Sequence, residues 1–363
     1  FGVNAGNSIA SGGNFNTVLG DEAGTAITTG DSNVAIGFKA LFTEDAHGTN
    51  VAIGDSALRV LNAGANGNNT AVGHEAGASM TTGIENVLIG TASGDALTDA
   101  DFNTAVGKSA LGNDTLGSRN TAVGNSALQT QRFTTATDSY NSAFGFNAGG
   151  GITTGLFNTL LGSLAGDALT DADRNVAIGS GALSTDTLGS KSIAIGQAAL
   201  FTQNFTTATD TFNVAIGHDA GTSVTTGVEN NLVGGLAGDA LTVGTKNNAF
   251  GYRALSDDTK GSKSVAIGNF TLASQNFTTA TDAFNTAVGH GAGEAITTGV
   301  QNTFLGALAG DAATTRDGNT ALGYSALTAD AKGLGSVAVG SSALASQNYG
   351  TDTNAFNTGV GYF

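Results

Sequence analysis

The chain has 363 residues, a net charge of −16, 56 glycines and no proline, cysteine or tryptophan. An acidic chain repels a phosphate backbone, the lack of cysteine excludes a disulfide framework and a thiolate zinc site, and no apolar run approaches the ~20 residues that span a membrane. Collagen needs proline with glycine at every third residue, and a disordered glycine-rich linker keeps its prolines, whereas a ladder of hydrogen-bonded strands has little room for them.

A short motif, Asn-x-Ala-x-Gly in its commonest form, recurs along the whole chain. It opens at Asn16, Asn33, Asn50, Asn69, Asn86, Asn103, Asn120 and Asn141 and continues to Asn357, at spacings of 17, 17 and 19, then 17, 17, 17 and 21 repeated four times. Units this short bury a core only by stacking. The pattern therefore predicts an all-β fold, a parallel β-solenoid (β-roll or β-helix) of about 20 coils, with 17-residue coils grouped in 72-residue super-repeats. One solenoid domain covers 1–363. It holds a partial super-repeat over 1–68, complete ones over 69–140, 141–212, 213–284 and 285–356, and the start of another coil at 357–363. Strands ~4.8 Å apart would make the whole a rod.

Within a coil the first position is Asn, or Ser at Ser192, Ser264 and Ser336, residues that bond locally to backbone and can line up from coil to coil. The second is Thr or β-branched in most coils (Thr70, Val87, Thr104, Thr121), which favours a strand. The third is usually Ala and the fourth always large and apolar (Val72, Ile89, Val106, Val123, Phe144, Leu161, Ile178). Neighbours on a strand face opposite ways, so the fourth is assigned to the interior and the third to the outside, the reverse being the alternative. On that assignment Leu88, Leu160, Leu232 and Phe304, large residues at the third position once per super-repeat, are knobs for packing against other subunits. The fifth position is Gly throughout, implying a positive φ or a corner where another chain passes too close for a Cβ. The eighth is mostly Ala, and the ninth runs Gly77, Gly94, Leu111, Leu128 and again Gly149, Gly166, Leu183, Leu200.

Every fourth coil carries extra residues around Phe133, Phe205, Phe277 and Tyr349, followed by Asp138, Asp210 and Asp282 in the first three copies. These aromatics and acids suit either a glycan or lateral-contact loop, or a seal over a corner of the roll; sealing or intersubunit packing is the better reading. A second stripe, Tyr140, Phe212, Phe284 and Phe356, is assigned to core or subunit packing. Asp114, Asp186 and Asp258 precede Arg119, Lys191 and Lys263 by five residues and suggest ion pairs. The clusters Asp95, Asp99, Asp101 and Asp167, Asp171, Asp173 have calcium-like spacing, but the copy at Asp239 has Val243 and Thr245 in the matching places, so no cofactor is assigned and a solvated acidic face is expected. His74, His218 and His290 are tiled at one repeat position, unlike a catalytic base, and no nucleophile, base and orienting group stand together; no enzyme is expected.

Asn-Thr-Ala-Val-Gly-x-x-Ala-Leu at a step of 17 resembles the repeats of tail-fibre and surface-fibre proteins. Ser264-Val265-Ala266-Ile267-Gly268 and Ser192-Ile193-Ala194-Ile195-Gly196 are also similar to head repeats of trimeric autotransporter adhesins. The resemblance implies a homotrimer displayed on a virion or cell surface. Adhesin heads use shorter coils, and neither a stalk, a membrane anchor nor a chaperone domain is visible here. The first six residues align with Phe144–Gly149, and Asn357 to Phe363 form the beginning of the same coil type; a section of a longer chain and end-to-end joining of subunits both fit. The expectation is a non-catalytic structural fibre segment, extracellular, on a cell-surface appendage or virion tail fibre. Its partner is itself, with a surface glycan or receptor as a further contact, no nucleic acid and no membrane insertion. The alternative is a filament subunit that polymerises head to tail.

Overall fold

The computed structural model describes residues 2–362; Phe1 and Phe363, which belong to the end alignments above, lie outside them. The chain is a parallel β-solenoid of about 20 coils, one three-residue strand per coil. Among the described residues there is no helix, and so none long and apolar enough to cross a membrane. Contacts divide the chain into two units, Phe1–Asn175 and Val176–Phe363.

In the first unit the strands run from Thr17–Leu19 to Thr159–Leu161. Each lies parallel to the equivalent residues one coil away, so Val87, Leu88 and Ile89 pair with Thr104, Ala105 and Val106. The longer coil keeps this register, Thr121–Val123 lying on Ser142–Phe144. Its extra residues form a loop whose base is tied by a second short pairing of Gly117–Ser118 with Thr137–Asp138. The second unit repeats the plan from Val176–Ile178 to Thr358–Val360. Its three loop bases pair Gly189–Ser190 with Thr209–Asp210, Gly261–Ser262 with Thr281–Asp282, and Gly333–Leu334 with Thr353–Asn354.

The fifth-position glycines answer both backbone demands at once. Their φ lies between 124° and 143°, a region closed to side chains. A Cβ on Gly73, Gly90 or Gly107 would also stand 2.4–2.5 Å from the carbonyl oxygen of the next coil's glycine. The chain that passes too close is thus the protein's own next coil.

The strand faces are the reverse of the sequence assignment. Ala71, Leu88, Ala105, Ala122, Ala143 and Leu160 are fully buried, while Ile89, Phe144 and Leu161 are 39%, 41% and 49% exposed. The second unit agrees, with Leu232 and Phe304 inside and Ile267, Leu305 and Leu322 out. Leu88, Leu160, Leu232 and Phe304 are therefore core residues of their own coils and not subunit-packing knobs. The reason is volume. A coil of 17 residues is narrow, and its interior takes a large residue at the third position or at the ninth, not at both. A Cβ on Gly94 would meet Leu88 and Leu97 at 2.8 Å, and one on Gly77 would meet Leu88 at 2.8 Å and Leu58 at 2.9 Å. Where the third position is Ala105 or Ala122, the ninth is the buried Leu111 or Leu128. The same exchange recurs at Gly149 and Gly166 around Leu160, Gly221 and Gly238 around Leu232, and Gly293 and Gly310 around Phe304.

The expected asparagine ladder is present and buried. In the first unit the backbone N–H groups of Asn86, Asn103 and Asn120 each donate to Oδ1 of the preceding coil's asparagine at 2.9 Å. Asn103 Nδ2 donates to Gly117 O at 3.0 Å, tying the strand to the far side of its coil. In the second unit Asn230 and Asn302 continue the pattern at 3.0 and 2.9 Å. Each rung satisfies polar groups that would otherwise cost ~1–3 kcal/mol buried alone.

Two substitutions test the volume exchange. Leu88→Ala should destabilise by about 2–5 kcal/mol. Adding Gly94→Leu, at a φ of 55° that Leu111 already adopts at 53°, should recover part of that loss in thermal unfolding. A double variant no better than Leu88→Ala would contradict the exchange.

Candidate functional site

Because the fourth position points out, each unit carries an apolar line on its sheet. In the first unit this line holds Leu19, Ile36, Ile53, Val72, Ile89, Val106, Val123, Phe144 and Leu161. The second-position residues share that face and are Thr, Val or Ser there, so no charge interrupts it. The second unit repeats it, with Ile216, Phe250, Ile267, Leu305 and Leu322 between 37% and 47% exposed, and no charge at the second position. Exposed aromatics sit one residue beyond the glycine in some coils: Phe38 and Phe146 in the first unit, Tyr252 and Tyr324 in the second. In a chain of net charge −16, this strip is an extended uncharged apolar surface, the kind of patch that in general marks interaction sites.

The long-loop aromatics are seals. Phe133, Phe205 and Phe277 are 5–7% exposed, so these three rings offer no platform to a ligand, and Tyr349 is half-buried. Asp138, Asp210 and Asp282 are half exposed on the side chain and taken by Arg119 at 3.0 Å, Lys191 at 2.5 Å and Lys263 at 2.6 Å. The same cations lie over the second stripe, Lys191 5.2 Å from the Phe212 ring centre and Lys263 5.1 Å from that of Phe284. That stripe is exposed, Tyr140, Phe212 and Phe284 at 47–52% and Phe356 at 65%. It is not core. In the first unit it extends into a ladder: Arg119 over Phe102 at 4.6 Å, Tyr140 stacked on Phe157 at 5.5 Å, and Arg174 over Phe157 at 5.2 Å.

The acids expected to pair with these cations are elsewhere. Asp114, Asp186 and Asp258 are fully buried, and each anchors a polar network. Asp114 Oδ2 accepts from Gln131 Nε2 at 2.6 Å, while Oδ1 accepts from Gly117 N at 3.1 Å and Phe133 N at 3.2 Å. Asn141 Nδ2 donates to Gln131 Oε1 at 2.9 Å, joining the network to the asparagine ladder. Asp258, Gln275 and Asn285 repeat it in the second unit, where Gln275 also donates to Ser264 Oγ at 3.0 Å. The serines that interrupt the asparagine series thus receive the glutamine. Aligning the twelfth position exposes the signal that sequence reasoning missed: Met80, Leu97, Asp114, Gln131, then Ile152, Leu169, Asp186, Gln203.

Four members of the calcium-like clusters, Asp99, Asp101, Asp171 and Asp173, bond between coils. Asp99 accepts from Thr82 Oγ1 at 2.5 Å and Asp101 from Ile84 N at 2.8 Å, and Asp171 accepts from Thr154 Oγ1 at 2.7 Å. His74 and His218 are exposed beside Glu75 at 3.7 Å and Asp219 at 2.8 Å, and His290 packs edge-on against Phe270 at 5.9 Å. No known protein family and no curated protein matches the chain.

Burial pushes the Asp258 carboxyl above the usual aspartate range, against the bonds from Gln275, Gly261 and Phe277 that pull it down. A raised carboxyl keeps its proton where the unfolded chain has released it, so its contribution to stability falls as pH rises from ~3.9 through the folded value. The melting temperature of wild type minus that of Asp258→Asn should therefore grow as pH is lowered from neutrality into the carboxylate range. A difference that shrinks on acidification would contradict the assignment.

Proposed function

We propose that this chain is a non-catalytic structural segment of a fibre, in which three copies associate through their apolar sheet faces. The observation that supports this is the outward fourth-position line, large and apolar in every coil of both units. A second copy carries the same line at the same ~4.8 Å step, so side chains on two copies can interleave coil after coil; an unrelated globular partner has no such period. The 72-residue super-repeat as the building unit rests on the recurring 17, 17, 17 and 21 spacing of the motif, and the number three and display on an extracellular or virion appendage rest on the likeness of the repeats to fibre and adhesin-head repeats.

Such a segment acts mechanically. Laddered coils give a stiff spacer, and the exposed loop tips Thr134–Ala136, Thr206–Ala208 and Thr278–Ala280 give repeated weak contacts that combine through multivalency. A receptor or surface glycan would meet polar loop tips here, since the loop rings are folded inward.

Light-scattering mass with electron microscopy of the same sample tests the reading. The expected result is discrete particles at three times 35.6 kDa. The triple variant Ile89→Glu, Val106→Glu, Val123→Glu should drop to monomer mass with its β-signature in circular dichroism kept. A wild-type monomer would overturn the proposal, and open-ended filaments would favour head-to-tail polymerisation instead.

A further inference from the structure

One coil departs from its equivalents at three places together. Later coils place Asp114, Asp186, Asp258 and Asp330 at the twelfth position and Gly117, Gly189, Gly261 and Gly333 at the fifteenth, with Gln131, Gln203, Gln275 and Gln347 in the coil that follows. The coil that opens at Asn33 has Glu44 and His47 instead, with Leu61 in the coil that follows.

Space links the three changes. A Cβ on Gly117 would stand 2.0 Å from Asp114 Oδ2, so the aspartate and a side chain at the fifteenth position exclude each other. Glu44 keeps the two backbone bonds of the aspartates, Oε2 accepting from Ala63 N and Oε1 from His47 N, both at 3.3 Å, where Asp114 accepts from Phe133 N and Gly117 N. Leu61, fully buried, fills the place of the glutamine. What results is an imidazole with one enclosed nitrogen. His47 Nδ1 is shut off from solvent without a hydrogen-bond partner and lies 3.6 Å from Glu44 Oε1. Asp45 completes the group, and one donor atom from each of the three side chains lies within 4.8 Å of the others.

We infer that Glu44, Asp45 and His47 form a binding site for a divalent transition-metal ion. Imidazole with two carboxylates suits zinc, whereas calcium takes six to eight oxygens. Tetrahedral zinc with bonds of ~2.0–2.1 Å sets its ligands ~3.4 Å apart. The His47–Glu44 pair is already at 3.6 Å, and the exposed Asp45 side chain, whose Oδ1 now accepts from Ala46 N, would rotate to close the wider gap. Asn33 Nδ2 donates to His47 O at 3.2 Å, so the asparagine ladder holds the backbone that carries the ring. Glu44 is fully buried with no lysine or arginine paired to it among the described residues, and a bound dication would offset its charge.

Titration calorimetry with zinc chloride, paired with thermal unfolding, tests this on the full chain. His47→Gly installs the residue present at the equivalent position of later coils, and a triple variant, His74→Ala, His218→Ala, His290→Ala, removes the other imidazoles. Wild type and the triple variant should bind one zinc per chain and melt higher with it. His47→Gly should bind at least tenfold more weakly and lose the zinc-dependent rise while folding normally without metal. No saturable binding by wild type, equal binding by His47→Gly, or loss of binding in the triple variant alone would each overturn the site and leave His47 as a partner of Glu44 only.

Discussion

Everything in this solenoid follows from glycine packed on glycine. At the fifth position of one coil after another, the next coil's carbonyl oxygen sits where a Cβ would be, 2.4 Å away at Gly107 and 2.2 Å at Gly124. This close approach fixes the turn after each strand, and the turn decides which way the strand residues point. The residue two before the glycine goes in and the residue immediately before it goes out. The interior is consequently narrow, filled by Ala with a few Leu, Ile or Phe side chains, and the Val, Ile, Leu and Phe side chains of the fourth position are left on the surface.

No coil would hold this path alone. In the coil opened by Asn103, Ser109, Leu111 and Arg119 sit at φ of 54°, 53° and 64°, a conformation that costs a non-glycine residue ~1–2 kcal/mol. The ladder and asparagine bonds to adjacent coils offset that strain, so each coil depends on its neighbours. The buried Asp114–Gln131–Asn141 network works the same way: its members come from successive coils, and each needs a partner from another coil. The loop pairs obey the same coupling. Arg119, Lys191 and Lys263 meet Asp138, Asp210 and Asp282, while the matching places in the last copy are Gly335 and Asn354; cation and acid disappear together.

The period was legible because Asn86 and Gly90 recur as Asn103 and Gly107, each tied to a backbone need. The facing of Ala105 and Val106 was not, because the habit of placing the larger residue inside fails where the interior is narrower than the residue. Asp114 and Arg119 looked like partners at a separation of five, but in a solenoid the meaningful separation is one coil, and Asp114 meets Gln131 at 17 residues. The Phe133 seal was among the sequence alternatives. The exposed Phe102–Arg119–Tyr140–Phe157–Arg174 ladder was not, since its members look unrelated until placed one coil apart.

The central claim is that the fourth-position side chains form an outward face covered by other copies of the chain. The chain has no cysteine, so single thiols can report on it directly. Labelling rates of Val106→Cys and Ala105→Cys across a range of protein concentrations are the decisive measurement. The account predicts that Val106→Cys labels quickly when dilute and slowly when concentrated, while Ala105→Cys labels slowly throughout. Faster labelling at Ala105→Cys would contradict the strand facing, and a Val106→Cys rate independent of concentration would contradict the covered face.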